Sequence, residues 1–423
     1  MKICSINQQF GFRRASLLSL ALFGWLVLAN HSPAQDVIDI SRSTALGQPP
    51  TPIAIVGYSG EVASVLKFDL AVMGFTNVQE GYANYILSGS NDGSVIGTLS
   101  VTGDPSKKLN GNTISAGAAK TVLFSRRYEG STMRIQAHRL ADDVVLKITG
   151  VNGIAEKNGR VAKIAFKVEF GRTSEIYIAD FDGHDYQPAT QDQNIVAAPD
   201  WIPGHFALFY TSYKRGPLEI FRQDLESGER HRLAAYPGMV GSPAVSPDGR
   251  RVAFVLAKSG SVNIYVADID GGNLKQLTSN KEDDSSPCWS PDGQWICYAS
   301  KPSERRSLYK VPAGGGSPVR IPTSGVSSPS EPDWSPDGQW IAFTSQNSSG
   351  FDICVVPAKG GTTTVLVSGE DPSWSPNSRT LIFVRRSRGS GTLSLLDVPT
   401  KQVKDVPRVP GNGSSNSQPS WAR

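Results

Sequence analysis

A tryptophan, or a close relative, followed by Ser-Pro-Asp-Gly recurs down the second half of this chain and limits what it can fold into. The phrase stands at Ser246-Pro247-Asp248-Gly249, Ser290-Pro291-Asp292-Gly293 and Ser335-Pro336-Asp337-Gly338, with a worn copy at Ser375-Pro376-Asn377-Ser378. The anchor residues are Trp201, Val245, Trp289, Trp334, Trp374 and Trp421, separated by 44, 44, 45, 40 and 47 residues. A period in the forties, built only from short strands and turns, marks a β-propeller.

Within one repeat the pattern predicts four strands. In the stretch 242–280, Pro243 to Ser246 is the innermost strand, and Ser-Pro-Asp-Gly is a tight turn. Proline presets φ at the second turn position and glycine closes the turn. Val252 to Leu256 and Asn263 to Asp268 follow, and Asp270-Gly271-Gly272 turns the chain into a fourth strand at Leu274 to Thr278. The same reading fits 198–237, 286–325, 331–369 and 371–409. Residues 161–190 look like a blade without its first strand, and that strand reappears as Gln418-Pro419-Ser420-Trp421-Ala422. A C-terminus that zips into the first blade gives six blades and leaves no open edge.

Ahead of the propeller (159–423) we expect three parts. Residues 1–34 read as a secretory signal: Lys2, Arg13 and Arg14, then an apolar run from Ala15 to Ala29, then Ser32-Pro33-Ala34, with cleavage after Ala34. The run is short for a membrane span, and the competing reading is an uncleaved anchor. Residues 35–51 are an arm ending in the extended Pro49-Pro50-Thr51-Pro52. Residues 52–158 read as a small α/β domain: a strand at Ile53 to Val56, an amphipathic helix over Glu61 to Met73, strands at 85–87, 95–101 and 121–126, and a second helix over Ser131 to Ile148. The order β-α-β-β-β-α suggests one mixed sheet carrying both helices.

Charge excludes one class of partner. The chain holds 42 basic and 38 acidic residues; the signal takes three of the basic ones, so the remainder carries 39 − 38 = +1. That is no footprint for nucleic acid. Past the signal, nothing is long and apolar enough to insert into a membrane. The cysteines left, Cys288, Cys297 and Cys354, are an odd, sparse set and no disulfide framework, although one bridge is open to them.

Catalytic motifs are missing. There is no G-x-S-x-G elbow and no H-E-x-x-H, and His138, His184, His205 and His231 fall on separate elements. The repeated aspartate of Ser-Pro-Asp-Gly is read as a turn former that bonds its own backbone, not as a metal ligand. The loops entering the innermost strands are acidic: Asp200; Glu282-Asp283-Asp284; Glu331 and Asp333; Glu370-Asp371. Converging at one mouth of the ring, they form either a funnel for a basic partner segment or a divalent cation, or a set of solvated charges. No cofactor is expected, calcium in the channel being the exception this mouth would admit. The arm residues Asp36-Val37-Ile38-Asp39-Ile40 read as a strand offered to a partner's sheet edge, or else as a loose terminus or a strand docked on its own domain.

The order of parts, and the stretch Ala137-His138 … Asp142-Asp143-Val144 … Leu146 … Ile148-Thr149-Gly150-Val151-Asn152-Gly153, resemble the TolB family of the Tol–Pal cell-envelope system of Gram-negative bacteria. In the family the stretch reads A-H-x-x-x-D-x-[VI] … L-T-G-x-x-G, and Ala179-Asp180-Phe181-Asp182-Gly183 resembles its D-Y-D-G. The resemblance implies a periplasmic scaffold, not an enzyme, linking an inner-membrane TolA-type protein to the lipoprotein Pal in outer-membrane integrity and constriction at division. The arm, Asp36 to Ile40, would engage the TolA-type partner. Loops Met239 to Ser242 and Asp284-Ser285-Ser286 would meet Pal, beside the mouth acids Asp200, Glu331, Asp333, Glu370 and Asp371. Binding at one site would bias the other. Met239 departs from the family pattern, where a polar residue is expected. A monomer is expected, since a closed ring exposes no pairing edge. The readings from other classes are an enzyme or solute binder using the acidic channel mouth, and a propeller that scaffolds an unrelated envelope complex.

Overall fold

The computed structural model describes residues 46–102, 120–157, 160–233, 236, 238–258, 260–301, 305–408 and 415–423. The signal segment and arm residues Asp36 to Ile40 lie outside the described residues. The last arm residues are docked: Leu46 packs against the core of the last blade, and the Gly47 N–H donates to Pro399 O (2.7 Å). Thr51, expected in the arm, already belongs to the first strand.

The α/β domain runs β1 (Thr51–Val56), α1 (Gly60–Val72), β2 (Phe75–Asn77), β3 (Tyr85–Ser90), β4 (Val95–Thr102), β5 (Lys120–Tyr128) and α2 (Met133–Thr149). The sheet order is β2-β1-β3-β4-β5, with β1 parallel to β2 and β3 and the rest antiparallel. This is the expected mixed sheet with two helices, plus β2, which at three residues gives no period to read. Helix α2 begins and ends on local chemistry. Thr132 Oγ1 accepts the Ile135 N–H (3.3 Å) to cap α2, and Gly150 ends it in the left-handed conformation (φ 74°). A Cβ on Gly97 would fall 2.4 Å from a Leu140 methyl, so α2 packs closely on β4 at this glycine. Residues 156–157 and 160–161 then form a short hairpin before the propeller.

Six four-stranded sheets follow; we number these blades I to VI. Blade I is made of strands 163–170, 173–180 and 187–188 with the C-terminal strand Ser415–Trp421 as its innermost member, so the chain closes the ring as expected. Trp421 pairs with Ile164 and Ser420 with Ala165. The Ser-Pro-Asp-Gly turns are structural. Ser246 Oγ donates to Asp248 Oδ1 (2.5 Å) and accepts the Arg251 N–H (2.9 Å), while Gly249 sits at φ 68°. The Ser246 hydroxyl holds the Asp248 carboxyl below its ordinary pKa. The turns at 290 and 335, and the worn one at Ser375-Asn377, repeat the contact. Two of the tryptophans stitch blade to blade: Trp201 Nε1 donates to Ser420 O (3.2 Å) and Trp289 Nε1 to Ala244 O (2.9 Å).

One apolar core runs through both domains. It contains Val65, Leu66 and Leu140 from the helices, Ile53 and Leu87 from the sheet, and Ile164, Phe181, Ile382, Leu395 and Trp421 from blades I and VI. Polar groups cross the same seam. Asp69 on α1 accepts from His138 Nδ1 on α2 (2.7 Å), His138 Nε2 lies 3.8 Å from Asp182 of blade I, and Arg134 pairs with Asp182. Burial pushes the His138 pKa down, but Asp69 and Asp182 outweigh it and the net shift is upward; burial raises Asp69. Among the described residues no helix is long and apolar enough to cross a membrane.

Trp421 is 2% exposed and stacks on Phe181 (centroids 6.3 Å apart), so it belongs to the ring closure and to the domain junction together. Trp421→Ala should cost about 3–5 kcal/mol, read as a lower urea midpoint. Deleting 418–423 should open the ring and cost more; an unchanged melting temperature for that truncation would contradict the closure.

Candidate functional site

The innermost strands surround the propeller axis, and all six carry the same irregularity. Each has a β-bulge, and at each bulge a residue other than glycine takes positive φ immediately before a proline. The residues are Ala198 (49°), Ser242 (51°), Ser286 (53°), Glu331 (52°), Asp371 (54°) and Gln418 (50°). Proline normally keeps its predecessor extended, and a left-handed non-glycine residue costs on the order of 1–3 kcal/mol. The proline itself lacks an N–H, so the bulge is where the ladder loses least by holding it. The outcome is a ring of six half-buried side chains over a second ring of buried prolines.

Four of these, Ser242, Ser286, Glu331 and Asp371, are expected site residues; Ala198 and Gln418 are not, although the Pro-x-Trp spacing marks both. Half the ring is linked by hydrogen bonds passed from blade to blade. Glu331 accepts the Asp371 N–H (3.3 Å), Asp371 accepts the Gln418 N–H (3.1 Å), and Gln418 Oε1 accepts the Ala198 N–H (2.9 Å). On the other side the Ser242 N–H turns to Thr211 Oγ1 (3.1 Å). Burial raises the Asp371 pKa well above its ordinary value, and the neighbouring Glu331 raises it further. This pair is the place among the described channel residues where two carboxylates meet without a basic partner, so a divalent cation could be held there.

The remaining expected acids divide. Asp200 and Asp333 lie one step deeper in the channel and fasten the next blade: Asp200 accepts the Val245 N–H (2.7 Å), and Asp333 accepts the Trp374 N–H (2.6 Å) and pairs with Arg423. Asp284 is 1% exposed and accepts from Thr278 Oγ1 (2.5 Å) and Asn280 Nδ2 (3.2 Å) at the end of the preceding blade. Glu370 pairs with Arg386. Met239 opens its strand opposite Ala257, and Ser285 faces Ala299. Of the acids expected at the mouth, Asp200, Asp284, Asp333 and Glu370 are turned onto backbone amides and side-chain partners, while Asp283 is exposed.

The channel encloses about 510 Å³. Arg423 is the basic residue on its wall, and it also lines a cleft of about 1370 Å³ between propeller and α/β domain, so it stands between the two. No histidine lies on the channel wall among the described residues. The arrangement is suited to holding something. Asp69, His138 and Asp182 are close enough to share a metal ion; Asp69 Oδ2 is bonded to His138 Nδ1 and Asp182 to Arg134, while Asp69 Oδ1 and His138 Nε2 are buried without a hydrogen-bond partner.

Residues 145–423 match the family model of the TolB β-propeller domain. The chain belongs to the TolB family. A Tol-Pal system protein TolB from Legionella pneumophila (strain Corby) is 29% identical over 251 residues, 55% of this chain and 56% of that one. Another from Francisella tularensis subsp. tularensis (strain WY96-3418) is 30% identical over 128 residues, 30% and 29% of the two chains. The chain thus aligns over at most about half the length of these curated relatives. Among solved structures, TolB from Acinetobacter baumannii superposes with a TM-score of 0.75 at 21% identity, covering 89% of this chain and 98% of that chain. A putative TolB from Agrobacterium tumefaciens gives 0.50 at 19%, covering 62% and 100%. At these identities the likeness is one of fold, and the first match, covering 89% of the chain, extends beyond the propeller.

Burial pushes Asp200 up to about 6 from an ordinary 3.8, held back by the Val245 N–H and Arg423. A raised carboxyl stabilises the fold fully below its unfolded value and loses that contribution as pH rises through the folded value. The stability of the protein relative to Asp200→Asn should therefore fall between pH 3.8 and about 6. Parallel melting-temperature profiles for the two proteins would contradict the assignment.

Proposed function

We propose that this TolB-family chain is a periplasmic interaction module of the Tol–Pal type, in which the ring of bulges at the channel receives a Pal-type lipoprotein. The observation that carries the reading is the ring itself. Six strained residues before prolines recur in equivalent places, on a rigid closed scaffold, around one cavity. Strain repeated in this way is tolerated where the surroundings fix it, and such places are commonly binding sites. Ser242, Ser286, Glu331 and Asp371 supply the contact, with Met239, Ser285, Asp284 and Glu370 at the outer ends of the same strands. The acidic arm Asp36 to Ile40 engages a TolA-type inner-membrane protein by strand addition.

A binding role is also supported by what the channel acids do. Asp200 and Asp333 are committed to neighbouring amides, and Asp371 and Glu331 to the ring relay, so none is left as a free general base. The name Tol-Pal system protein TolB, carried by relatives from two genera, points the same way.

The test is calorimetry with the soluble domain of the Pal-type lipoprotein from the same source. The intact protein should bind. Glu331→Gln keeps an oxygen for the Asp371 N–H but loses the charge, and should weaken binding about tenfold, or about 1.4 kcal/mol, with an unchanged melting temperature. A chain lacking 35–45 should keep this partner and lose the TolA-type one. Absence of binding by the intact protein would overturn the reading.

A further inference from the structure

Register fixes which second-strand residue faces each channel residue just after the bulge. The facing pairs are Asp200–Phe209, Ala244–Ala253, Cys288–Cys297, Asp333–Ala342, Ser373–Ile382 and Ser420–Ala165. The repeat tolerates many side chains here, yet blade IV puts cysteine on both sides. Those two are among three cysteines in the described residues, all of them buried. Directly facing residues in antiparallel strands hold their Cα atoms about 4.5–5.5 Å apart, inside the span a disulfide bridges. Cys297 is the neighbouring side chain that acts most on the Cys288 thiol.

The third cysteine does not compete by register. Cys354 belongs to the same apolar cluster but sits on blade V, opposite Phe343, with its Sγ turned 3.8 Å from Asp352 O.

We propose that Cys288 and Cys297 are a dithiol–disulfide pair, a modification site in the channel wall that an external disulfide oxidant closes. This inference does not rest on the binding role above. Cys288 lines the channel, whereas Cys297 is fully buried, so an incoming disulfide meets Cys288 first. The Cys288 thiolate attacks that disulfide, forming a mixed disulfide and releasing one oxidant thiol. The Cys297 thiolate then attacks Cys288 Sγ, forming the intrachain bond and expelling the second oxidant thiol. Two protein thiols lose two protons and two electrons, and the oxidant's disulfide gains both electrons. Burial, then Cys297 and Asp333, push the Cys288 thiol well above its ordinary value. The thiolate is therefore scarce in the folded ring, and closure is fastest while blade IV is forming. The bond would tie the innermost strand of blade IV to its neighbour beside the Asp333–Arg423 pair.

The full chain, unfolded, reduced and refolded in a mixture of reduced and oxidised glutathione, is denatured, alkylated and peptide-mapped without reduction. The expected map joins the segments holding Cys288 and Cys297 and finds Cys354 alkylated. Cys354→Ala should leave that link intact. The double variant Cys288→Ala, Cys297→Ala copies the Ala244–Ala253 pair of blade III and should fold without any link. Full alkylation of Cys288 and Cys297 in the refolded protein, or a bridge that uses Cys354, overturns the proposal.

Discussion

The pairing of the last strand, Ser415–Trp421, with the first strand of blade I is the contact on which the rest of the structure depends. It joins residues about 250 positions apart and turns five complete sheets and one incomplete sheet into a closed ring. The same few residues then serve three places at once. Gln418 completes the relay around the channel, Arg423 stands between channel and interdomain cleft, and Trp421 enters the core shared with α1 and α2. Without the pairing the channel would lose a wall, and the α/β domain part of the surface it packs on.

Inside the ring, electrostatics and backbone geometry are inseparable. Each bulge removes a ladder bond and tilts the following residue toward the axis. Where that residue is acidic, as at Asp200 and Asp333, its carboxylate takes up an amide of the next blade; where it is Ser373, the hydroxyl accepts the Trp421 N–H (3.3 Å). Where it is Ala244 or Cys288 no such bond can form from the side chain, and at Ala244 the backbone carbonyl instead accepts the Trp289 Nε1–H (2.9 Å). Side-chain bonds from these positions thus fasten blade I to II, II to III, V to VI and VI to I, whereas blades III, IV and V meet there through shared apolar clusters. Binding that reaches the acidic half would meet charge held in place, and binding on the serine half would meet small, neutral side chains.

Much of the fold was legible because its information is local and repeated. Trp-Ser-Pro-Asp-Gly states a turn whose hydrogen bonds close within five residues, and the lone Gln418-to-Ala422 segment could be matched to a blade lacking its first strand. The sign of φ at Ser242, Glu331 or Asp371 could not be read, since residue before proline normally means extended backbone; only the recurrence of the bulge across six sheets forces the exception. Strand β2 was too short to show a period. The His138 junction was visible as a motif but not as chemistry, because Asp69, His138 and Asp182 come from three elements whose meeting is decided by the packing of two domains. The arm that would carry the second partner lies outside the described residues.

The account makes the C-terminal strand part of the cooperative core, not a late addition to a ring that already stands. Native-state hydrogen exchange resolved at residues 415–421 tests this most directly. The amides that pair with Lys163–Phe170 should exchange only through global unfolding, with the same opening free energy as the slowest amides of strands 251–258 and 380–387. Exchange of 415–421 at a markedly lower opening free energy, while those strands stay protected, would show a ring that holds without its closure and would contradict the account.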